Sequence, residues 1–163
     1  MRKKLLGLTL ILTATAVFSL SLLLMAASEP QSKEALEIKA LVDKGAALVE
    51  SKGKNAFPEF RKKGSVWYQG ERYLFVDDFD GSVLVNPPDP KIEGQNIMNV
   101  KDAGGKLIIP AFVEALKTRE SAWVEYLWPK PGSDKPAKKL SYIRKVKMPD
   151  GANVIVGAGM YAD

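Results

Sequence analysis

The chain has 163 residues, of which 24 are Lys or Arg and 19 are Asp or Glu, and it contains neither His nor Cys. The absence of these two residue types excludes the usual zinc ligand sets, thiolate nucleophiles, disulfides and histidine general bases, and with them most familiar enzyme chemistries. Three basic residues lie within the first four positions, which leaves 21 basic against 19 acidic residues elsewhere. This near-balance provides no concentrated basic footprint for nucleic acid.

Residues 1–27 are predicted to be an export leader. Residues 2–4 are basic, residues 5–25 are almost uninterruptedly apolar, and residues 26–28 are small enough for signal-peptidase cleavage. The apolar run exceeds a usual h-region of about 7–15 residues and approaches the ~20 that span a bilayer. We therefore expect a signal peptide cleaved near Ala27 or an uncleaved N-terminal anchor. Residues 28–163 would then form a single domain that is periplasmic or secreted, or anchored facing the periplasm.

The next segment is predicted to be helical. From Glu34 to Val49 apolar residues recur at intervals of three and four, which predicts an amphipathic helix that ends near Gly53. A shorter helix is expected over 58–63, with Pro58 near its first turn and Gly64 after its end.

The rest of the chain is predicted to form strands and one more short helix. The strand segments are 66–68, 73–77, 82–86, 122–128, 140–146 and 153–161. Asp80-Gly81 joins the second and third of these as a hairpin, and the helix is expected over Pro110–Lys117. The connections between the last three strands are too short for a crossover helix, so these strands pair antiparallel. The pattern is α+β with one antiparallel sheet.

Two short motifs are explained better by turns than by ligands. With Gly81 at position six of an EF-hand loop, Pro87 falls at position twelve, where a bidentate Glu is needed. Gly104-Gly105-Lys106 lacks the spacing of a phosphate-binding loop. No nucleophile paired with a base is recognisable either, so we predict no metal, no cofactor and no catalytic residues.

Aromatic residues share faces of two predicted strands. Tyr126 and Trp128 lie on the same side of one strand, opposite Trp123, and Tyr73 and Phe75 share a face of the hairpin. Such a face can line a pocket for a small ligand. Ordinary core packing is the alternative, and residue types alone favour it.

Eight short segments carry a family resemblance: Tyr73-Leu74-Phe75-Val76-Asp77, Asp80-Gly81, Asn86-Pro87 with Pro90, Gly94-Gln95-Asn96, Asp102-Ala103-Gly104-Gly105-Lys106, Trp123-Val124-Glu125-Tyr126-x-Trp128, Ser141-Tyr142 and Gly157-Ala158-Gly159-Met160-Tyr161. Their order and spacing, from about Glu34 to Tyr161, resemble the single Cache domain, type 2. The resemblance implies an extracytoplasmic sensor with a PAS-like fold, in which a long N-terminal helix packs on a five- to six-stranded antiparallel sheet. It also implies a small organic acid or similar metabolite as ligand, and coupling to a chemoreceptor, kinase or cyclase module.

The resemblance further implies a set of ligand-binding residues. For a carboxylate ligand it assigns hydrogen bonds to the phenols of Tyr73, Tyr126 and Tyr142 and to the amide of Asn86. It assigns a ring wall of the pocket to Trp128 and charge pairing to Lys139. Trp67 and Phe75 are expected as secondary pocket walls. Family members often have His-Pro where this chain has Asn86-Pro87, so a neutral amide replaces a group that could be cationic. A solvated pair with Lys138 is the competing interpretation of Lys139.

Two functions from different classes follow from these patterns. The first is a stand-alone sensory module that binds a small organic acid and acts through a membrane receptor or another signalling partner, since no second span or signalling domain follows in the sequence. The alternative is a structural or interaction protein that forms a homodimer through helix 34–49 and binds no ligand. An enzyme ranks third.

Overall fold

The computed structural model describes residues 29–162. Its helices are α1 (Lys33–Lys52), α2 (Phe57–Phe60) and α3 (Ile108–Ala115), with 3₁₀ turns at Gly53–Ala56 and Pro90–Ile92. Its strands are β1 (Tyr68–Gln69), β2 (Arg72–Asp78), β3 (Val83–Val85), β4 (Ser121–Pro129), β5 (Pro136–Lys147) and β6 (Asn153–Tyr161). The predicted leader lies outside the described residues. Within residues 29–162 no helix combines the length and the apolar character that a membrane crossing requires.

Helix α1 begins and ends at recognisable capping residues. The Ser32 hydroxyl accepts a hydrogen bond from the Ala35 N–H at 3.1 Å, which caps the N-terminus. Gly53 terminates the helix with φ 56°, a conformation that glycine adopts without steric cost. The buried stripe of α1, which includes Ile38, Val42 and Val49, packs against β5 and β6. The predicted amphipathic helix is confirmed.

The strands form one antiparallel sheet in the order β1-β2-β6-β5-β4, with β3 also paired to β2. The C-terminal strand β6 is central, because it pairs with β2 on one side and β5 on the other. The predicted α+β architecture is confirmed, with six strands and the long helix packed on the sheet.

The sheet separates two hydrophobic clusters. On one face, Leu74 and Val156 pack with Val42 and the rest of the α1 stripe. On the opposite face, Phe75 and Ile155 pack with Phe112 of α3. Because side chains alternate along a strand, residue parity decides which cluster a side chain joins.

Some element boundaries differ from the sequence prediction. Strand β5 begins at Pro136 instead of residue 140, because β4 pairs with it without interruption from Ser121↔Arg144 to Pro129↔Pro136. Helix α3 begins two residues earlier than predicted, and the first strand is reduced to Tyr68–Gln69.

Candidate ligand-binding cavity

A cavity of about 20 Å³ lies between the sheet and α3. It exceeds the roughly 10–15 Å³ that one water molecule requires. Its lining is aromatic and aliphatic apart from three polar residues, Lys139, Asp77 and Asn86, and the remaining lining residues are Tyr73, Phe75, Val83, Ile97, Ile108, Ile109, Phe112, Tyr126 and Trp128. A mostly apolar lining with a few polar groups is the composition typical of small-molecule sites, although those sites usually enclose about 300–1,000 Å³.

Two glycines of β6 leave room for the side chains of this face. A Cβ added at Gly157 would overlap the Phe75 ring, and one added at Gly159 would lie 2.9 Å from the Lys139 Cε. Any larger residue at these positions would therefore displace the groups that line the cavity.

Lys139 is a buried cation surrounded by aromatic rings. Its residue is 1% exposed, and the strand register places it between Tyr126 of β4 and Tyr161 of β6. Its ammonium donates a hydrogen bond to the Tyr73 hydroxyl at 2.8 Å and lies 4.0 Å from that ring's centroid. The Phe75 ring centroid is 5.2 Å away. Ring faces attract a cation, but they replace only part of its lost hydration.

Burial shifts the proton affinity of both charged residues in the cavity. Desolvation lowers the pKa of Lys139 to about 7, although the charge of Asp77 partly opposes this shift. Desolvation likewise raises the pKa of Asp77 to about 7, while Lys139 opposes the change and Asp78 adds to it. Near neutral pH each group is therefore populated in both its protonated and its deprotonated form.

Three tyrosines connect Lys139 to the surrounding polar groups. The Tyr73 and Tyr161 hydroxyls are 3.4 Å apart, and Tyr161 donates to the Pro129 carbonyl at 2.7 Å. The Tyr126 hydroxyl lies 3.1 Å from the Ser141 hydroxyl. Burial raises the pKa of Tyr73 and Tyr126, and it raises that of Tyr161 to about 12, so all three phenols stay neutral at physiological pH.

Asn86 and Trp128 line both the cavity and an adjoining surface groove of about 310 Å³. A carboxylate oxygen of Glu93 accepts a hydrogen bond from the Asn86 backbone N–H at 2.8 Å. Arg61 in turn donates to Glu93 through Nε at 3.0 Å and through a terminal nitrogen at 2.7 Å. This ion pair fixes the segment that carries Asn86.

Helix α3 covers the cavity and is anchored by the loop that precedes it. The Asp102 carboxylate accepts hydrogen bonds from the backbone N–H groups of Gly104, Lys106 and Leu127, at 2.9, 2.8 and 2.9 Å. These hydrogen bonds lower the pKa of Asp102, and the bond from the Leu127 N–H has the largest effect. Lys106 donates to the Glu125 carbonyl, so two side chains satisfy the outer edge of β4 and hold the loop against it.

Six of the eight sequence-predicted residues line the cavity: Tyr73, Phe75, Asn86, Tyr126, Trp128 and Lys139. Tyr142 does not, because it lies three positions beyond Lys139 on the same strand and so faces α1, where its hydroxyl accepts from Lys39 at 2.6 Å. Trp67 also lies on the α1 side, against Phe60 with ring centroids 5.1 Å apart. These two placements correct the sequence assignment. Lys139 is not part of a solvated lysine pair, because only Lys138 is exposed.

Asp77 is the lining residue of greatest chemical interest that sequence reasoning missed. The sequence predicts a strand up to Asp77 and a hairpin turn at Asp80-Gly81, and Asp78 does hold this turn by accepting from the N–H groups of Asp80 and Ser82 at 3.0 and 2.7 Å. Asp77, however, continues the alternation of Tyr73 and Phe75 and so faces the cavity. That period of two was the available signal. Among residues 29–162, no cluster of acidic side chains is arranged to hold a metal ion.

Comparisons with known proteins identify a domain family and two curated relatives. A family model described as a Cache domain matches residues 47–163. The chain is 31% identical over 96 residues to the methyl-accepting chemotaxis protein McpP of Pseudomonas putida, which covers 59% of this chain and 17% of that protein. It is 30% identical over 99 residues to the sensor histidine kinase MctS of Rhizobium johnstonii, or 61% of this chain and 21% of that protein. The chain thus spans only about a fifth of the length of these curated relatives.

Two solved structures with similar folds are described as sensory domains. One, described as the periplasmic sensor domain of a chemotaxis protein, has a TM-score of 0.63 and 32% identity over 80% of this chain and 92% of that one. Another, described as the structural basis for carboxylic acid recognition by a Cache chemosensory domain, has a TM-score of 0.66 and 27% identity over 82% and 100%. The two curated relatives are thus a chemotaxis protein and a sensor kinase, and the first of these solved structures is described as a periplasmic sensor domain.

Proposed function

Because the chain belongs to the Cache domain family, we propose that it is a small-molecule-binding sensory module whose ligand is a small organic acid. In this proposal residues 1–27 direct residues 28–163 to the periplasm or the exterior, or anchor them facing the periplasm. The observation that carries the proposal is the buried ammonium of Lys139 beside the cavity.

A carboxylate is the ligand that this ammonium favours. Lys139 makes one hydrogen bond, to Tyr73, and an ammonium has three donors. Charge-assisted hydrogen bonds from the remaining donors to a carboxylate would compensate the burial of the cation. The small volume of the cavity supports a short acid as the ligand. The related Cache structure described in terms of carboxylic acid recognition supports the same ligand class.

We extend the proposal to a signalling partner. The chemotaxis protein and the sensor kinase that match this chain are both several times longer than the matched region. In those proteins the domain is one part of a longer signalling protein. By analogy, the present domain would pass its ligand-bound state to a membrane receptor or another signalling component.

A thermal-unfolding screen of the purified protein tests this function. Short carboxylates are expected to raise the melting temperature progressively with the logarithm of their concentration, by an amount equivalent to about 2.7 kcal/mol at a hundredfold excess over Kd, whereas amines, purines and divalent cations should have no effect. Lys139→Met should abolish the response, and Lys138→Met, which changes the exposed neighbour, should retain it. No shift with any acid, together with a melting temperature that rises with protein concentration, would instead favour the dimerising interaction protein.

A further inference from the structure

Asp77 is the only carboxylate among the residues that line the cavity. The residue is 5% exposed, and its side-chain oxygens accept no hydrogen bond from residues 29–162, yet they are not among the fully enclosed unpartnered atoms of that region, as expected for a side chain that lines the cavity. Asp80, three positions along, is by contrast exposed. A buried carboxylate without donors is costly, so the Asp77 oxygens are available for a donor that enters the cavity.

Asp77 and Lys139 mark two separate positions in the cavity. Among residues 29–162 no salt bridge joins them, and the Lys139 ammonium instead donates to the Tyr73 hydroxyl at 2.8 Å and lies 4.0 Å from that ring's centroid. Each nevertheless acts on the other through space. The other titratable groups that face Lys139 are the phenols of Tyr73, Tyr126 and Tyr161, and the α3 residues of the lining are apolar. The cavity thus offers a cationic donor at one position and an acceptor at another.

We propose that Asp77 selects, among short organic acids, those that also carry a hydrogen-bond donor, a hydroxyl or an ammonium group. This inference rests on the proposed function. The ligand carboxylate pairs with Lys139 while its donor satisfies Asp77. An acid without a donor leaves the Asp77 oxygens unpartnered, and a site built to accept a hydrogen bond discriminates strongly against ligands that cannot donate one.

Titration calorimetry of the purified protein with two matched series tests the selection. The first series is acetate, glycolate and glycine, and the second is propionate, lactate and alanine. At least one donor-bearing acid of each series is expected to bind about tenfold or more tightly than the unsubstituted acid. Asp77→Leu should remove the preference. Asp77→Asn, which keeps an acceptor oxygen but no charge, should retain a preference for a hydroxyl and lose one for an ammonium. Asp80→Leu, at the exposed site, should leave the ratios unchanged.

The outcomes are distinguishable. Equal affinities within each wild-type series, or tighter binding of the unsubstituted acids, would overturn the selection while leaving acid binding intact. A preference that persists in Asp77→Leu would overturn the role of Asp77. If no acid of either series binds the wild-type protein, the proposed function itself fails. The wild-type ratios decide the question even if a substitution at Asp77 prevents folding.

Discussion

At the scale of single residues, the proposed function implies that the burial of Lys139 favours ligand binding and lowers the stability of the free protein. A buried charge without a full set of partners is often less stable than an apolar side chain of similar volume. We expect Lys139→Met to raise the free energy of unfolding without ligand by about 1–3 kcal/mol, measured by urea denaturation. Lys138→Met should change it little, since Lys138 forms only an exposed ion pair with Glu125. Lower stability of Lys139→Met would mean that Lys139 has a structural role.

The same residue predicts the pH dependence of binding. Below pH 7, Lys139 is charged and Asp77 is protonated, whereas above pH 7, Lys139 becomes neutral and Asp77 anionic. Both changes disfavour an acid that carries no hydrogen-bond donor, such as propionate, as the pH rises, so its affinity should fall between pH 6 and pH 8. The fall is up to about tenfold per pH unit for each proton taken up on binding. Calorimetry in buffers of different ionisation enthalpy should detect this proton uptake, and a pH-independent affinity would contradict it.

A substitution at Gly159 tests whether the space beside Lys139 is as small as the structure shows. A Cβ at this position would lie 2.8 Å from the Leu140 carbonyl oxygen and 2.9 Å from the Lys139 Cε. Gly159→Ala should therefore lower the stability by about 1–3 kcal/mol and weaken acid binding. Asn153→Ala, at the exposed start of the same strand, is the control and should change neither stability nor binding. Unchanged unfolding and binding in Gly159→Ala would show that the face has more room than the structure indicates.

At the scale of elements, the anchoring of α3 depends on Asp102. Asp102→Ala removes three accepted backbone hydrogen bonds. We expect faster amide hydrogen exchange over residues 101–116 and a melting temperature lower by roughly 2–4 °C. Asp134→Ala, in the exposed β4–β5 loop, should leave both unchanged. Exchange that stays slow over α3 in Asp102→Ala would mean that helix packing alone holds this helix.

Strand periodicity explains both the successes and the errors of the sequence prediction. A period of two correctly grouped Tyr126 with Trp128 and Tyr73 with Phe75 on the cavity face. The same rule separates Lys139 from Tyr142, which are an odd number of positions apart, so assigning both to one pocket was inconsistent with one continuous strand. That inconsistency arose because β5 was expected to begin after Lys139, whereas it begins at Pro136.

At the scale of the whole molecule, the site depends on contacts that no local pattern encodes. Strand β6, last in the chain, lies between β2 and β5 and brings Asp77 and Tyr73 to the same face as Lys139. The burial of Lys139 likewise follows from tertiary packing, because its neighbour in sequence is an exposed lysine. The element order and the long helix were predictable from the sequence, whereas the register across β6 and the cover provided by α3 were not.

The two faces of the sheet differ in how they are packed. The α1 face is a packed hydrophobic core, whereas the α3 face combines packing with a small polar cavity. A ligand in that cavity contacts the central strands and the covering helix together. The proposed function therefore depends on whether the ligand binds in the cavity between the sheet and α3.

An isotope-filtered NOE experiment on the labelled protein with unlabelled lactate or propionate locates the bound ligand directly. We expect NOEs from the ligand methyl group to the side chains of Ile109 and Phe112. These NOEs should be lost in Lys139→Met and retained in Lys138→Met. Binding accompanied by NOEs only to residues outside the cavity, or binding that survives unchanged in Lys139→Met, would contradict the proposed function.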